Sequence, residues 1–183
     1  MADLKMWGKI TDDDIYNFKS EPVWSIRGWY TIYSTKKDIS LDPNIPENWQ
    51  IYSVDHELNE KYLSDGIHPH VAKNNHIFFL KNDGLYWMDL LGGDIAKIWE
   101  IIGGARSNIQ LDVSKIGDIG VLSNPNEGSL LIFRNNAENY AFIGEIVQEI
   151  KTYALQPTFS YDDKYLAVVE LEKDSQGLLI NPK

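Results

Sequence analysis

The sequence has 183 residues, no cysteine, 43% hydrophobic and 24% charged residues, and a net charge of −10 from 17 Lys and Arg against 27 Asp and Glu. A chain of this size forms one domain with a sizeable core and no need of staples. The missing thiols exclude a disulfide framework, a thiolate zinc or iron–sulfur site and a cysteine nucleophile.

No run of 18 uncharged apolar residues occurs, so no membrane span is expected. The opening stretch, residues 1–7, lacks a basic patch followed by an apolar segment, which gives the expectation of a cytoplasmic protein. A strongly negative field repels a phosphate backbone, so nucleic acid is not an expected partner, whereas a basic protein is.

In chain order the elements read as short apolar runs separated by Gly, Pro, Asn and Asp. Residues 4–10 are a candidate strand. Pro22-Val23-Trp24-Ser25 precedes the runs 29–33 and 49–52, with a weaker run at 61–63. Pro69-His70-Val71-Ala72 precedes 76–80, 85–88 and 96–102. Leu111-Asp112-Val113-Ser114 precedes 119–122, 130–133 and 142–147, and Pro157-Thr158-Phe159-Ser160 precedes 165–169 and 178–180. Residues 92–103 and 141–155 carry some helical spacing but alternate equally well as strands. Six Trp and 10 Tyr beside β-branched residues complete an all-β reading.

The four tetrads are a repeat, with starts 47, 42 and 46 residues apart. Each predicts one antiparallel sheet. The large third residue is expected to pack between neighbouring sheets, the small fourth residue to leave room for a turn, and proline to open the strand where no ladder donor is needed. The repeats span about 21–66, 67–106, 107–155 and 156–183, the last joined by residues 1–12. In this reading the N-terminal strand completes the last sheet, removes an exposed edge, and makes the whole of 1–183 a single domain.

The segment from Gln156 through Pro157, Phe159, Ser160, Asp162, Lys164, Leu166 and Ala167 resembles the proline–aromatic–serine–aspartate–glycine–lysine–leucine–alanine signature of TolB-like and WD-repeat β-propeller blades. Leu85-Tyr86-Trp87-Met88-Asp89 with Gly92 and Gly93 resembles the third strand and turn of the same blades. Asp163 stands where the family usually has glycine, and the third copy lacks the proline. The resemblance implies a small propeller of about four blades, near the lower limit for that architecture. It implies no activity. An open curved stack of sheets or a β-sandwich is the structural alternative.

No catalytic constellation, metal set or cofactor motif emerges. There is no nucleophile elbow and no phosphate-cradling glycine loop. His68 and His70 with His76 could make a three-nitrogen zinc site, but ordinary strand-end histidines are the simpler reading. Asp162 and Asp163 belong to a hairpin turn, and Asp12-Asp13-Asp14 lacks the spacing of a calcium loop.

The acidic residues carry the functional expectation. In a meander of four sheets, one end collects the turns between second and third strands together with the connections between sheets. That end receives Asp12, Asp13, Asp14, Asp42, Glu47, Asp65, Asp83, Glu127, Glu172 and Asp174, while the other end is expected nearer balance. The loop 35–48, with Pro43 and Pro46, is expected to be stiff and protruding. The resulting expectation is a non-enzymatic, monomeric binding protein: a small acidic inhibitor of the immunity type that occludes a basic partner such as a bacterial nuclease toxin. A scaffold docking peptides in a central channel and a carbohydrate-processing propeller enzyme are the alternatives.

Overall fold

The computed structural model describes residues 19–25, 28–72, 76–101, 104, 108–115, 118–125, 127–136 and 143–180. They form four antiparallel sheets, each a meander of consecutive strands. The first holds β1 (Lys19–Trp24), β2 (Tyr30–Lys36), β3 (Trp49–Asp55) and β4 (Glu60–Asp65). The second holds β5 (Ile67–Val71), β6 (His76–Lys81), β7 (Gly84–Asp89) and β8 (Ala96–Glu100). The third holds β9 (Gln110–Val113), β10 (Ile119–Asn124), β11 (Ser129–Asn136) and β12 (Ile143–Lys151), and the fourth β13 (Tyr153–Phe159), β14 (Leu166–Lys173) and β15 (Leu179–Ile180). The two stretches with helical spacing fall in β8, β12 and the start of β13. Among the described residues no helix is long and apolar enough to cross a membrane. The strand expected at residues 4–10 lies outside the described residues.

The four tetrads occupy equivalent places. The fourth residue of each donates its N–H across the following turn: Ser25 to the carbonyl of Tyr30, Ala72 to His76, Ser114 to Ile119 and Ser160 to Tyr165, at 2.8–2.9 Å. Where that residue is serine, its hydroxyl also accepts the N–H at the far side of the turn, from Tyr30, Ile119 and Tyr165. The small residue therefore does more than leave room: its side chain ties the hairpin shut.

Sheets stack in chain order. Ile32, Ile51 and Leu63 of the first sheet meet Ile77, Phe79 and Met88 of the second. On its other face the second sheet presents Phe78, Leu80 and Trp87 to Leu122 and Phe133 of the third. Val121 and Leu130 of the third face Ala154 of the fourth. A strand covered on both sides reads as an unbroken apolar run rather than an alternating one. This is why Ile77-Phe78-Phe79-Leu80 is continuous and 0% exposed at every position. Burying each phenylalanine contributes about 2–3 kcal/mol.

The third residue of each tetrad packs toward the preceding sheet: Val71, Val113 and Phe159 each join the cluster on that side. Trp24 breaks the expectation. It pairs with Thr31 on the face of the first sheet that turns away from the second, and is 52% exposed. In the fourth sheet Val168 and Val169, consecutive residues of the middle strand, are 38% and 41% exposed.

The loop after β2 is exposed over most of residues 37–44, but its end turns inward rather than protruding. Its 3-10 turn, Pro46–Asn48, packs against β4 and β6, Pro46 is buried, and Trp49 Nε1 donates to the Pro43 carbonyl at 2.9 Å.

Two glycines mark the closest approaches between paired strands of a sheet. A Cβ on Gly84 would stand 2.0 Å from the Trp99 carbonyl oxygen, and one on Gly120 would stand 2.0 Å from the Phe133 ring. Gly84→Ala and Gly120→Ala are expected to cost about 1–3 kcal/mol or more each, read as a lower urea midpoint by tryptophan fluorescence. Gly177→Ala, with φ +80° but nothing within 4 Å of its Cβ, is expected to cost about 1 kcal/mol from backbone strain alone.

Candidate functional site

Alternating strand direction sends the turns between second and third strands to one end of the stack, and the predicted acidic residues go with them. Asp12, Asp13 and Asp14 lie outside the described residues. Asp42 sits in the loop before β3, where its Oδ1 accepts the N–H of Asn44 at 2.8 Å, and Glu47 is exposed in the 3-10 turn. Asp65 closes β4 and pairs with Lys37 at 2.9 Å. Asp83, in the β6–β7 turn, pairs with Lys97 at 3.1 Å and accepts the Tyr86 hydroxyl at 2.9 Å. Asp174 holds the β14–β15 turn by accepting two backbone N–H groups, and Glu172 is exposed on β14. Glu127, in the β10–β11 turn, borders a cavity of about 350 Å³ with Lys151, Thr152, Tyr153, Glu170 and Leu171.

Local electrostatics follow these contacts. Burial opposes ionisation of Asp83, but hydrogen bonds from Lys97 and Tyr86 outweigh it and hold the carboxyl below its ordinary value. Burial, the Asp83 hydrogen bond and the Asp83 charge push the Tyr86 hydroxyl up to about 12.

The opposite end carries acid as well as the lysines Lys115 and Lys164, while Arg27 and Lys73 lie outside the described residues. A meander sends its third-to-fourth-strand turns there as well as its first-to-second-strand turns. Asp55 and Glu57 arrive with β3–β4, Asp89 and Asp94 with β7–β8. Asp162 and Asp163 behave as turn residues: Asp162 accepts the Ser160 hydroxyl at 2.8 Å, and Asp163 has φ +56°, which explains the glycine usual there. Acid is therefore spread over both ends, and the predicted residues share a surface without forming a convergent cluster.

The histidines do not assemble as a metal site. His76 lies against the Trp87 ring at 4.7 Å, and burial holds its imidazole below its ordinary value, against the opposing charge of Asp89. Among the described residues no three His, Cys, Asp or Glu side chains stand as a metal-ligand group. His68 and His70, however, belong to a site that the motif search missed.

That site is built from the first strands of consecutive sheets. Reading the repeats as columns, the residue before each tetrad is Glu21, His68, Gln110 or Gln156, and the second residue is Val23, His70, Asp112 or Thr158. In three repeats the tetrad opens with proline, which cannot donate to the ladder, and the register shifts there: between Ser20 and Val23, Ile67 and His70, Leu155 and Thr158. The third repeat has Leu111 instead, and its register is regular. Two of the pre-proline residues, His68 and Gln156, are left-handed at φ +54° and +50°, a strain of about 1–2 kcal/mol each.

The second residue of a tetrad faces the next sheet, so it can reach across. His70 Nδ1 stands 3.2 Å from Asp112 Oδ1. Asp112 Oδ1 also accepts its neighbour Val113 N–H at 2.9 Å, and Oδ2 accepts the Phe159 N–H of β13 at 2.7 Å. One carboxylate thus joins three first strands. Beside it, Gln110 Oε1 accepts the Gln156 N–H. His68, His70, Gln110, Leu111, Gln156, Pro157 and Thr158 enclose a cavity of about 310 Å³. The lining offers imidazole, amide and hydroxyl hydrogen bonds and, among the described residues, no lysine or arginine.

Comparison with solved structures settles what the stack is. The chain is similar to TolB from Acinetobacter baumannii, with a TM-score of 0.58 and 15% identity over 91% of this chain and 44% of that one. It is likewise similar to the Cps50 (Swd1) β-propeller domain of Myceliophteria thermophila, with a TM-score of 0.57 and 13% identity over 86% and 49% of the two chains. A functionally unknown protein from Desulfotomaculum acetoxidans gives a TM-score of 0.56 and 15% identity over 90% and 55%. The fold is that of a β-propeller. No family model matches the sequence, and no curated protein matches it. The chain spans about half the length of these propellers. At such identities the likeness concerns the scaffold alone.

Asp112→Ala is expected to cost about 2–3 kcal/mol by removing a carboxylate that anchors β9 to β13 and to His70, measured by urea unfolding. His76 supplies a pH signature. Its folded-state value is lowered, so the unfolded chain binds its proton first, and stability falls as pH drops below the ordinary histidine value of 6.5. Between pH 7.5 and pH 5.5 the urea midpoint is expected to fall less in His76→Gln than in the parent chain.

Proposed function

We propose that this propeller is a non-catalytic binding scaffold whose second-to-third-strand end meets a basic protein. One observation carries the reading. Of the seven predicted carboxylates described at that end, only Asp65 and Asp83 meet a lysine among the described residues. Asp42, Glu47, Glu127 and Glu172 are exposed on turns and strand ends of a stack that carries a net charge of −10, and Asp174 stands partly exposed beside them. Exposed carboxylates held in fixed positions speed encounter with a cationic surface and select it over neutral ones. The specific form of the proposal is an inhibitor of the immunity type: a cytoplasmic protein that covers the active site of a basic nuclease toxin by standing in for its negative substrate.

The test is co-purification with a basic toxin domain encoded beside its gene, followed by a protection assay. A complex whose association rate falls with added salt is expected. Glu47→Lys, Glu127→Lys and Glu172→Lys combined are expected to weaken it by at least about tenfold. Asp55→Lys, Glu57→Lys and Asp94→Lys at the opposite end should leave it unchanged. No complex, or equal loss from both triple variants, removes the proposal.

A further inference from the structure

We propose that the cavity between β5, β9 and β13 is a cation site, shaped to take the guanidinium of an arginine side chain from the basic partner. The inference rests on the reading above for the source of that side chain, but its chemistry is argued independently.

The repeat columns show that this place is built. Equivalent positions in successive first strands carry His68, Gln110 and Gln156 in one tier and His70, Asp112 and Thr158 in the next. Five of those six line the cavity, and the sixth, Asp112, stands directly behind His70. Asp112 accepts the N–H groups of Val113 and Phe159, and its Oδ1 stands 3.2 Å from His70 Nδ1. A carboxylate oxygen 3.2 Å from Nδ1 favours the proton on that nitrogen, which leaves the His70 Nε2 as an acceptor.

What the cavity asks of a ligand is therefore hydrogen-bond donors with positive charge. Gln156 and Thr158 add an amide carbonyl and a hydroxyl as further acceptors at the rim. An anion meets no lysine or arginine in the lining and is opposed by Asp112 and by the whole-chain charge. A guanidinium is planar, carries five donors and sheds water more readily than an ammonium, so it fits a polar recess with acceptors in several directions. Strain at His68 and Gln156 is consistent with a surface fixed before the ligand arrives.

The experiment is an NMR titration of the full chain with N-acetyl-arginine amide, its neutral isostere N-acetyl-citrulline amide, and inorganic phosphate. The expected result is a saturable shift of the His70 ring and of the Gln110 and Gln156 side-chain amides with the arginine probe. The citrulline probe is expected to bind about tenfold more weakly, and phosphate not to shift these signals. His70→Gln is expected to weaken the arginine probe about tenfold, and Thr158→Val by a smaller factor with the rest of the spectrum unchanged. Absence of a saturable shift, equal binding of the citrulline probe, or tighter binding of phosphate overturns the proposal. Failure of this site and failure of the preceding reading are separable. A protein complex indifferent to His70→Gln and Thr158→Val removes the cavity site alone. Arginine-probe binding with no basic-protein complex removes the preceding reading alone.

Discussion

A proline at the start of a first strand deletes one ladder donor, and the inner surface of this propeller is arranged around that loss. At Pro22, Pro69 and Pro157 the pairing slips by a residue, the strand bulges, and the neighbouring side chains are re-aimed. Pro69 itself is fully buried, so the device is part of the core and not a surface ornament. Without the slip, His68 and Gln156 would sit in ordinary extended backbone, and the polar tier along the first strands would point elsewhere. The third repeat, with Leu111 and a regular register, supplies the contrast. It contributes a carboxylate where its neighbours contribute an imidazole and a hydroxyl.

The packing between sheets follows a second rule that the tetrads obey together. Second residues look forward to the next sheet and third residues look back to the previous one. His70, Asp112 and the β13 backbone are linked because each reaches forward by one sheet. Val71, Val113 and Phe159 fill the interfaces behind them. Trp24 obeys the same geometry, and its exposure reflects the lack of a preceding sheet among the described residues. A single substitution at Asp112 consequently touches three sheets.

Much of this was legible in the residues. The spacing of the tetrads, the apolar run at 76–80 and the serine or alanine that closes each tetrad all announced one antiparallel sheet per repeat. The weak helical spacing at 92–103 and 141–155 lost to the surrounding sheets, which needed fourth strands there. The site was harder to see. Motif searches look along the chain, while His70 and Asp112 are 42 positions apart and meet only because equivalent residues of adjacent sheets face each other. Reading the repeats as columns exposes the polar tiers, and that signal was present in the sequence. Third-to-fourth-strand turns add Asp55, Glu57, Asp89 and Asp94 to the other end, which spacing alone did not bring out. Likewise, the prolines of the 35–48 loop suggested a protrusion, but Pro46 turns inward and packs beside β4 and β6.

The half-exposed apolar residues of the last two strands have a colloidal consequence. Val168, Val169 and Ile180 put apolar area against water at 38–42% exposure, the kind of surface through which molecules stick to their own kind. Mutual repulsion between copies bearing the same charge of −10 opposes that contact at low ionic strength. Near 0.1 M salt this repulsion reaches only about 10 Å. The carboxylates thus have a second duty, keeping the protein dispersed, and any change that neutralises them alters solubility along with recognition.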